Sequence, residues 1–274
     1  MSFDPVREDA PEDVPCRSPK VTGVTIACGT GERLSGTLFT VDADIGHPVA
    51  LLLHGYPGYE TNFDLAHALQ RAGCAVLAIH YRGTWGSDGL FRLGGAVEDV
   101  HTSIDFLKDN AALYGWDKKR ISLIGHSTGG FAAFAAAAAR EDLSAVVGIA
   151  PFDFSLAAAR PETRAVLREE FSDTVGIDRV PLEAFFSELD ARAGEWSFPA
   201  LARGLSSKSV YLVGAARDDV SPPELHIEPL YRALLAQGGS VEYETLDTTH
   251  CFSSKRLALI DTVLSFLRTG QSLA

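Results

Sequence analysis

The stretch RISLIGHSTGGFAAFAAAAAR, residues 120–140, decides the fold. Its first six residues are an apolar run of strand length. Its end, from Phe131 to Arg140, is an alanine-rich helix whose small side chains allow close approach to a sheet. Between them stands Gly125-His126-Ser127-Thr128-Gly129. A serine flanked at two positions by glycine, at a sharp strand-to-helix turn, has its hydroxyl lifted above the sheet edge. The pattern alone recurs by chance, and a glycine-flanked serine in an ordinary turn is the plain alternative. The strand before it and the helix after it favour the chemical reading.

The same rhythm runs outward in both directions. Upstream, VTGVTIA (21–27) and ERLSGTLFTV (32–41) flank Gly29-Thr30-Gly31 and predict an antiparallel edge hairpin. PVALLLHG (48–55) and CAVLAIHY (74–81) are apolar enough for strands buried on both faces. Helices are expected around Leu65–Leu69 and Val97–Leu107. Downstream, LSAVVGIA (143–150), SVYLVG (209–214) and SVEYETL (240–246) read as strands. A helix is expected near 223–237, and Leu257, Ile260, Val263, Leu264 and Leu267 give a last amphipathic one. Strands separated by helices imply parallel pairing. The expectation is one α/β core, residues 21–151 and 207–274, with about eight strands and helices on both faces. Residues 152–206 break the rhythm with helical pieces at 161–172, 181–190 and 197–204, which predicts a helical cap inserted after the sixth strand.

The whole-chain numbers exclude several classes. The 274 residues suit one large α/β domain, with 46% hydrophobic and 22% charged residues. A net charge of −12 and only a short basic run, Lys118 to Arg120, argue against nucleic-acid binding. No run of about 18 apolar residues suggests a membrane span. The acidic, proline-rich first 20 residues lack a signal-peptide core and read as a flexible tail. Four scattered cysteines, Cys16, Cys28, Cys74 and Cys251, form no C-x-x-C pair and favour a reducing compartment, the cytoplasm, with a Cys28–Cys74 bridge left open. No His, Cys and carboxylate cluster has metal-ligand spacing, so neither metal nor cofactor is expected.

With Ser127 in its strand–turn–helix setting, the chain resembles the α/β-hydrolase superfamily over roughly residues 21–270. The serine-esterase and prolyl-oligopeptidase-like branch is the most similar part of it. The resemblance implies an eight-stranded, mostly parallel sheet and a triad in chain order nucleophile, acid, histidine. His250, in Asp247-Thr248-Thr249-His250-Cys251-Phe252 before the last helix, matches the family's histidine loop, with Phe252 at the usual following position. Imidazole suits a base because it takes and returns a proton near neutrality. His126 neighbours the serine and should point away from it, His226 reads as an exposed helix residue, and Cys251 as a small packing residue.

The acid comes from Arg217-Asp218-Asp219-Val220-Ser221-Pro222. The family's spacing of four residues before a proline selects Asp218, with Asp219 and Asp153 as rivals. The oxyanion donors implied by His54-Gly55-Tyr56-Pro57-Gly58 are the backbone N–H groups of Tyr56 and Thr128. Trp85, where the family's arginine–glycine loop more usually has glycine, borders the expected pocket. Phe185, Phe186 and Trp196 are expected to line it from the cap. The favoured function is hydrolysis of a carboxylic ester of a small or medium-sized molecule through an acyl-enzyme. Peptide, thioester, lactone and C–C hydrolysis, or a lyase or cyclase reusing the triad, are alternatives. A non-catalytic binding protein would be expected to have lost the serine or the histidine. Neither the substrate nor the oligomeric state is readable.

Overall fold

The computed structural model describes residues 3–11, 20–41, 46–172 and 174–269. The chain enters the sheet through β1 (Lys20–Ala27) and β2 (Arg33–Thr40), an antiparallel pair joined across the predicted glycine turn. Then β3 (His47–Leu53), α1 (Phe63–Arg71), β4 (Ala75–Ile79), α2 (Leu93–Asp109) and α3 (Ala111–Tyr114) follow. β5 (Trp116–His126), α4 (Thr128–Ala138) and β6 (Ala145–Ile149) complete the centre. After four helices, α5 (Leu156–Ala159), α6 (Pro161–Glu170), α7 (Leu182–Trp196) and α8 (Phe198–Leu205), the sheet resumes with β7 (Ser209–Ala215). The short α9 (Pro223–His226), α10 (Glu228–Ala236), β8 (Ser240–Leu246) and α11 (Arg256–Thr269) finish the core.

The eight strands lie in the order β1-β2-β4-β3-β5-β6-β7-β8. β2 runs antiparallel to β4, and every pairing from β4 to β8 is parallel. Side chains alternate across a strand, so the sheet builds two cores. Val49, Leu51 and Leu53 of β3 face the core that also holds Val100 of α2, Phe131 and Phe134 of α4 and Leu230 and Leu234 of α10. Ala50 and Leu52 face the other, closed by Leu65 and Leu69 of α1 and Leu259 and Val263 of α11. Burial on both faces explains the unbroken apolar runs of the central strands.

Several boundaries move. α4 starts at Thr128 rather than Phe131, because packing against the sheet overrides the weak helix propensity of Gly129 and Gly130. The helix expected at 223–237 divides at Ile227, just before Pro229, whose ring cannot donate to a continuous helix. Part of the expected flexible tail packs against the core. Val6 is buried against the α1 and α11 side, Pro5 O accepts a bond from Arg71, and Arg7 pairs with Asp261 of α11. Residues 12–19, with Cys16, lie outside the described residues. Cys28 and Cys74 are free thiols.

The insertion after β6 is helical. α5 packs on α6 and α7, and α7 also on α2, while α8 packs against α4 and α10 as a core helix. Trp196 docks the insertion onto the core, while Phe185 and Phe186 pack its own pieces together. Trp196 meets Phe131 edge to face at 5.3 Å, and Phe185 packs on Phe171 at 4.5 Å. Phe186 lies under the guanidinium groups of Arg164 and Arg168. All three are essentially fully buried.

Phe185→Ala and Trp196→Ala should each destabilise the protein by about 3–5 kcal/mol, as large-to-small changes in a packed core do. Chemical denaturation measures this; a change under about 1 kcal/mol would mean the insertion is loosely attached. Acid should also unfold the chain. Burial holds His54 at about 4 and His126 and His226 at about 3, below the ordinary value of 6.5. Between those values the unfolded chain binds more protons than the folded one. Stability therefore falls as pH drops from about 6.5 towards 3. A denaturation midpoint independent of pH over that window would contradict the buried, neutral assignment.

Candidate active site

The turn after β5 puts Ser127 at φ 54° and ψ −117°, outside the regions open to most L-residues. It is held there from both sides. Ser127 N donates to Ile149 O at 2.9 Å, and Ser127 O accepts from Gly130 N and Phe152 N. The two flanking glycines permit the turn. A Cβ on Gly125 would run into Gly129 O, and one on Gly129 into Leu53 O, so any side chain at either would force α4 off the sheet.

Across the sheet edge, His250 Nδ1 lies 2.8 Å from Asp218 Oδ2. Asp218 is buried, and its other oxygen accepts from Val220 N at 2.9 Å and Ser221 N at 2.8 Å. Burial raises its pKa, but the bond to His250 and the backbone donors outweigh that and hold it below the usual carboxylate value. The neighbouring Asp219 is exposed. Asp153 is buried and otherwise engaged. Its Oδ1 accepts from Ser155, and its Oδ2 caps α8 through Phe198 N at 3.0 Å. Of the three carboxylates weighed from sequence, only Asp218 meets His250.

Ser127, Thr128, His250, Tyr56 and Pro57 line one cavity of about 250 Å³. Its remaining walls are Phe152 and Phe154 after β6, Val166, Leu167 and Glu170 of α6, Phe171, Val220 and Cys251. Thus five loops, those following β3, β5, β6, β7 and β8, converge at the carboxyl edge of the sheet, where α/β proteins bind ligands. The Tyr56 backbone is set by its neighbour. His54 Nδ1 lies 2.6 Å from Gly55 O, so that ring nitrogen carries the proton and donates. In a trans peptide the C=O and the following N–H point in opposite directions. Holding Gly55 O therefore turns Tyr56 N–H away from His54. The Tyr56 ring stacks on Phe171 at 3.8 Å and 11°.

Other expected residues lie elsewhere. Phe185, Phe186 and Trp196 are not among the residues lining the cavity; the first two pack within the insertion and Trp196 packs on Phe131 of the core. Trp85 is 38% exposed and outside the lining, yet its Nε1 donates to Pro57 O at 2.6 Å and so braces a residue that does line it. His226 is buried rather than exposed, because its Nδ1 accepts from Asp153 N and its ring packs on Phe152. Cys251 is exposed at the cavity wall, not a packing residue. Leu167, Glu170 and Phe171 were missed. Their spacing of three and four residues on a helical pattern marks one face, a signal present in the sequence. Among the described residues no group of three or more His, Cys, Asp or Glu side chains is arranged to hold a metal ion. None of their helices is long and apolar enough to cross a membrane.

Comparison with known proteins agrees with this architecture. A 31.7 kDa protein of the traX–finO intergenic region of Escherichia coli is 27% identical, over 80% of this chain and 88% of its own length. A Pyrococcus furiosus esterase superposes with a TM-score of 0.67 at 20% identity, covering 92% of each chain. The Pyrococcus horikoshii acylaminoacyl peptidase gives 0.70 at 17% identity, over 91% of this chain but 41% of its own. At such identities the two structures speak for the fold. The sequence model of the alpha/beta hydrolase family matches residues 50–261, from β3 into α11, and the chain belongs to that family.

Proposed function

We propose that the protein is a serine hydrolase that cleaves small carboxylic esters through an acyl-enzyme, with Ser127 as nucleophile, His250 as general base and Asp218 as the carboxylate that orients it. The observation that carries this is the arrangement at the sheet edge: a serine on a strained strand–helix turn shares a cavity with a histidine whose Nδ1 is held 2.8 Å from a buried carboxylate. The Asp218 bond makes Nδ1 the protonated nitrogen and leaves Nε2 free to accept the Ser127 proton. Ser127 Oγ then attacks the carbonyl carbon, and His250 passes the proton to the leaving alcohol. In the second half water replaces the alcohol, and the acid is released.

The developing oxyanion is assigned to the N–H groups of Tyr56 and Thr128. Thr128 is the first residue of α4, so its N–H is one of the helix's unpaired donors. The clamp of His54 on Gly55 O supports Tyr56 as the second. Fixed backbone donors need no reorganisation as charge appears, which is what makes them effective.

Cavity size supports a small substrate. At about 250 Å³ it falls below the roughly 300–1,000 Å³ of cavities that hold drug-sized ligands. Phe152, Phe154, Leu167 and Phe171 make its walls apolar, which suits a short acyl chain or small ring. The likeness to a peptidase keeps amide cleavage as a second reading, although a cavity covered by α6 suits a small ester better than a peptide.

Ser127→Ala should abolish ester turnover and fluorophosphonate labelling without changing the melting temperature. A purified mutant that keeps near wild-type activity would sink the mechanism. Asp218→Asn should lower kcat by roughly 10³–10⁴-fold, since it disturbs the imidazole tautomer, and Asp219→Asn by less than about threefold. The reverse ranking would exclude Asp218. Leu167→Ala and Phe154→Ala should shift preference across a C2–C10 p-nitrophenyl ester series towards longer chains. An unshifted optimum in both would show that these walls do not select the substrate. Aminoacyl p-nitroanilides run in parallel test the peptidase reading.

A further inference from the structure

We propose that His126, the residue before the candidate nucleophile, is a positioning residue: through its ring it ties the main chain of the His250 loop to the end of β5, and so fixes the distance between base and serine. This rests on the reading of Ser127 and His250 given above.

His126 closes β5 and is 4% exposed. Its Nε2 stands 3.0 Å from the backbone oxygen of His250. The two imidazole rings lie 4.9 Å apart at 40°. The ring also borders the loop that carries Tyr56, since a Cβ on Gly55 would stand 3.4 Å from its Nδ1. One side chain thus adjoins three of the loops that make the cavity. A carbonyl oxygen only accepts, so Nε2 carries the proton and Nδ1 is bare. Nδ1 is buried and has no hydrogen-bond partner among the described residues. Leaving a buried acceptor unpaired is destabilising, so histidine here is not explained by filling space. A leucine would do that without the cost, but would leave His250 O without its donor.

The chemistry explains why the donor must be neutral. When His250 takes the serine proton it becomes a cation, and a second cation 4.9 Å from it would oppose that step. Burial, with the neighbouring His250 and Arg256 also acting against protonation, outweighs the bond to His250 O and the Asp218 charge, which favour it, and keeps His126 uncharged down to about pH 3. It therefore supplies an N–H without a charge. His126 moves no proton in the reaction.

Four proteins test this: wild type, Ser127→Ala, His126→Leu and His126→Gln. The probes are p-nitrophenyl butyrate turnover, the rate of fluorophosphonate labelling, and thermal unfolding. His126→Leu should lose roughly 10- to 100-fold in kcat and in labelling rate, the scale of a misplaced catalytic group, with KM within about twofold. His126→Gln, which keeps an N–H donor, should recover most of that loss, while the two variants melt alike. A leucine variant at wild-type rates, or a glutamine variant no better than leucine, overturns the proposal. Wild-type labelling that Ser127→Ala lacks secures the hydrolase reading separately. If the wild type does not label, that reading falls. The bond itself is then decided by imidazole ¹⁵N shifts: a neutral Nε2–H ring at pH 5 supports it, and titration near the ordinary 6.5 overturns it.

Discussion

The close approach of α4 to the end of β3 is the constraint on which the rest depends. Ser127 occupies a backbone conformation of the kind that costs of order 1–3 kcal/mol, and nothing local makes that conformation favourable. It persists because β6 holds Ser127 N and because Gly129 lets the helix settle against Leu53 O. The same approach brings Gly55 beside the serine, since a Cβ on Gly55 would sit 3.0 Å from that of Ser127. The loop that carries Tyr56 is therefore placed by the turn that carries Ser127. Without side chains at these glycines, three strands end at one point.

That constraint also explains which parts of the molecule were legible in the sequence. The central strands announce themselves because burial on both faces demands unbroken apolar runs, as in Val49–Leu53. β8 was bounded correctly at 240–246 by turn residues on either side. The start of α4 was not. Thr128, Gly129 and Gly130 are poor helix formers, and only packing against the sheet makes them helical. Asp218 was preferred over Asp219 by spacing alone. In the structure the turn buries Asp218 against two backbone donors and leaves Asp219 in solvent, a difference that spacing does not carry.

Composition could not separate docking from lining. Phe154, Phe185 and Trp196 are equally apolar, and periodicity assigns each to a buried face. Whether that face meets the core or a cavity is a property of the packed insertion. Phe154 meets both, since it touches Phe131 and Phe185 and lines the cavity. His226 misled for a related reason. A polar residue on a helix is usually solvated, but α9 is only four residues long and its end turns inward to meet Asp153 N.

Tyr56 joins the two halves of the design. Its backbone lies beside Ser127, while its ring packs on both Phe171 of the insertion and Phe91 of the core. The insertion is pinned near that ring by backbone bonds from Phe91 N to Asp178 O and from Asp178 N to Gly83 O, each 2.7 Å. α7 is pinned again by the Arg92–Glu188 pair and by its buried aromatics. α6 is held differently. Along its length only Leu167 is buried, and its pairings with α7, Arg164–Asp190 and Arg168–Glu183, lie near the surface. Such exposed pairs contribute about 0–1 kcal/mol each. Displacing α7 would unpack a core, whereas displacing α6 would disturb one leucine, two weak pairs and the two guanidinium contacts on Phe186. Any widening of the cavity to admit a substrate therefore falls on α6, the element whose Val166, Leu167 and Glu170 form its outer wall.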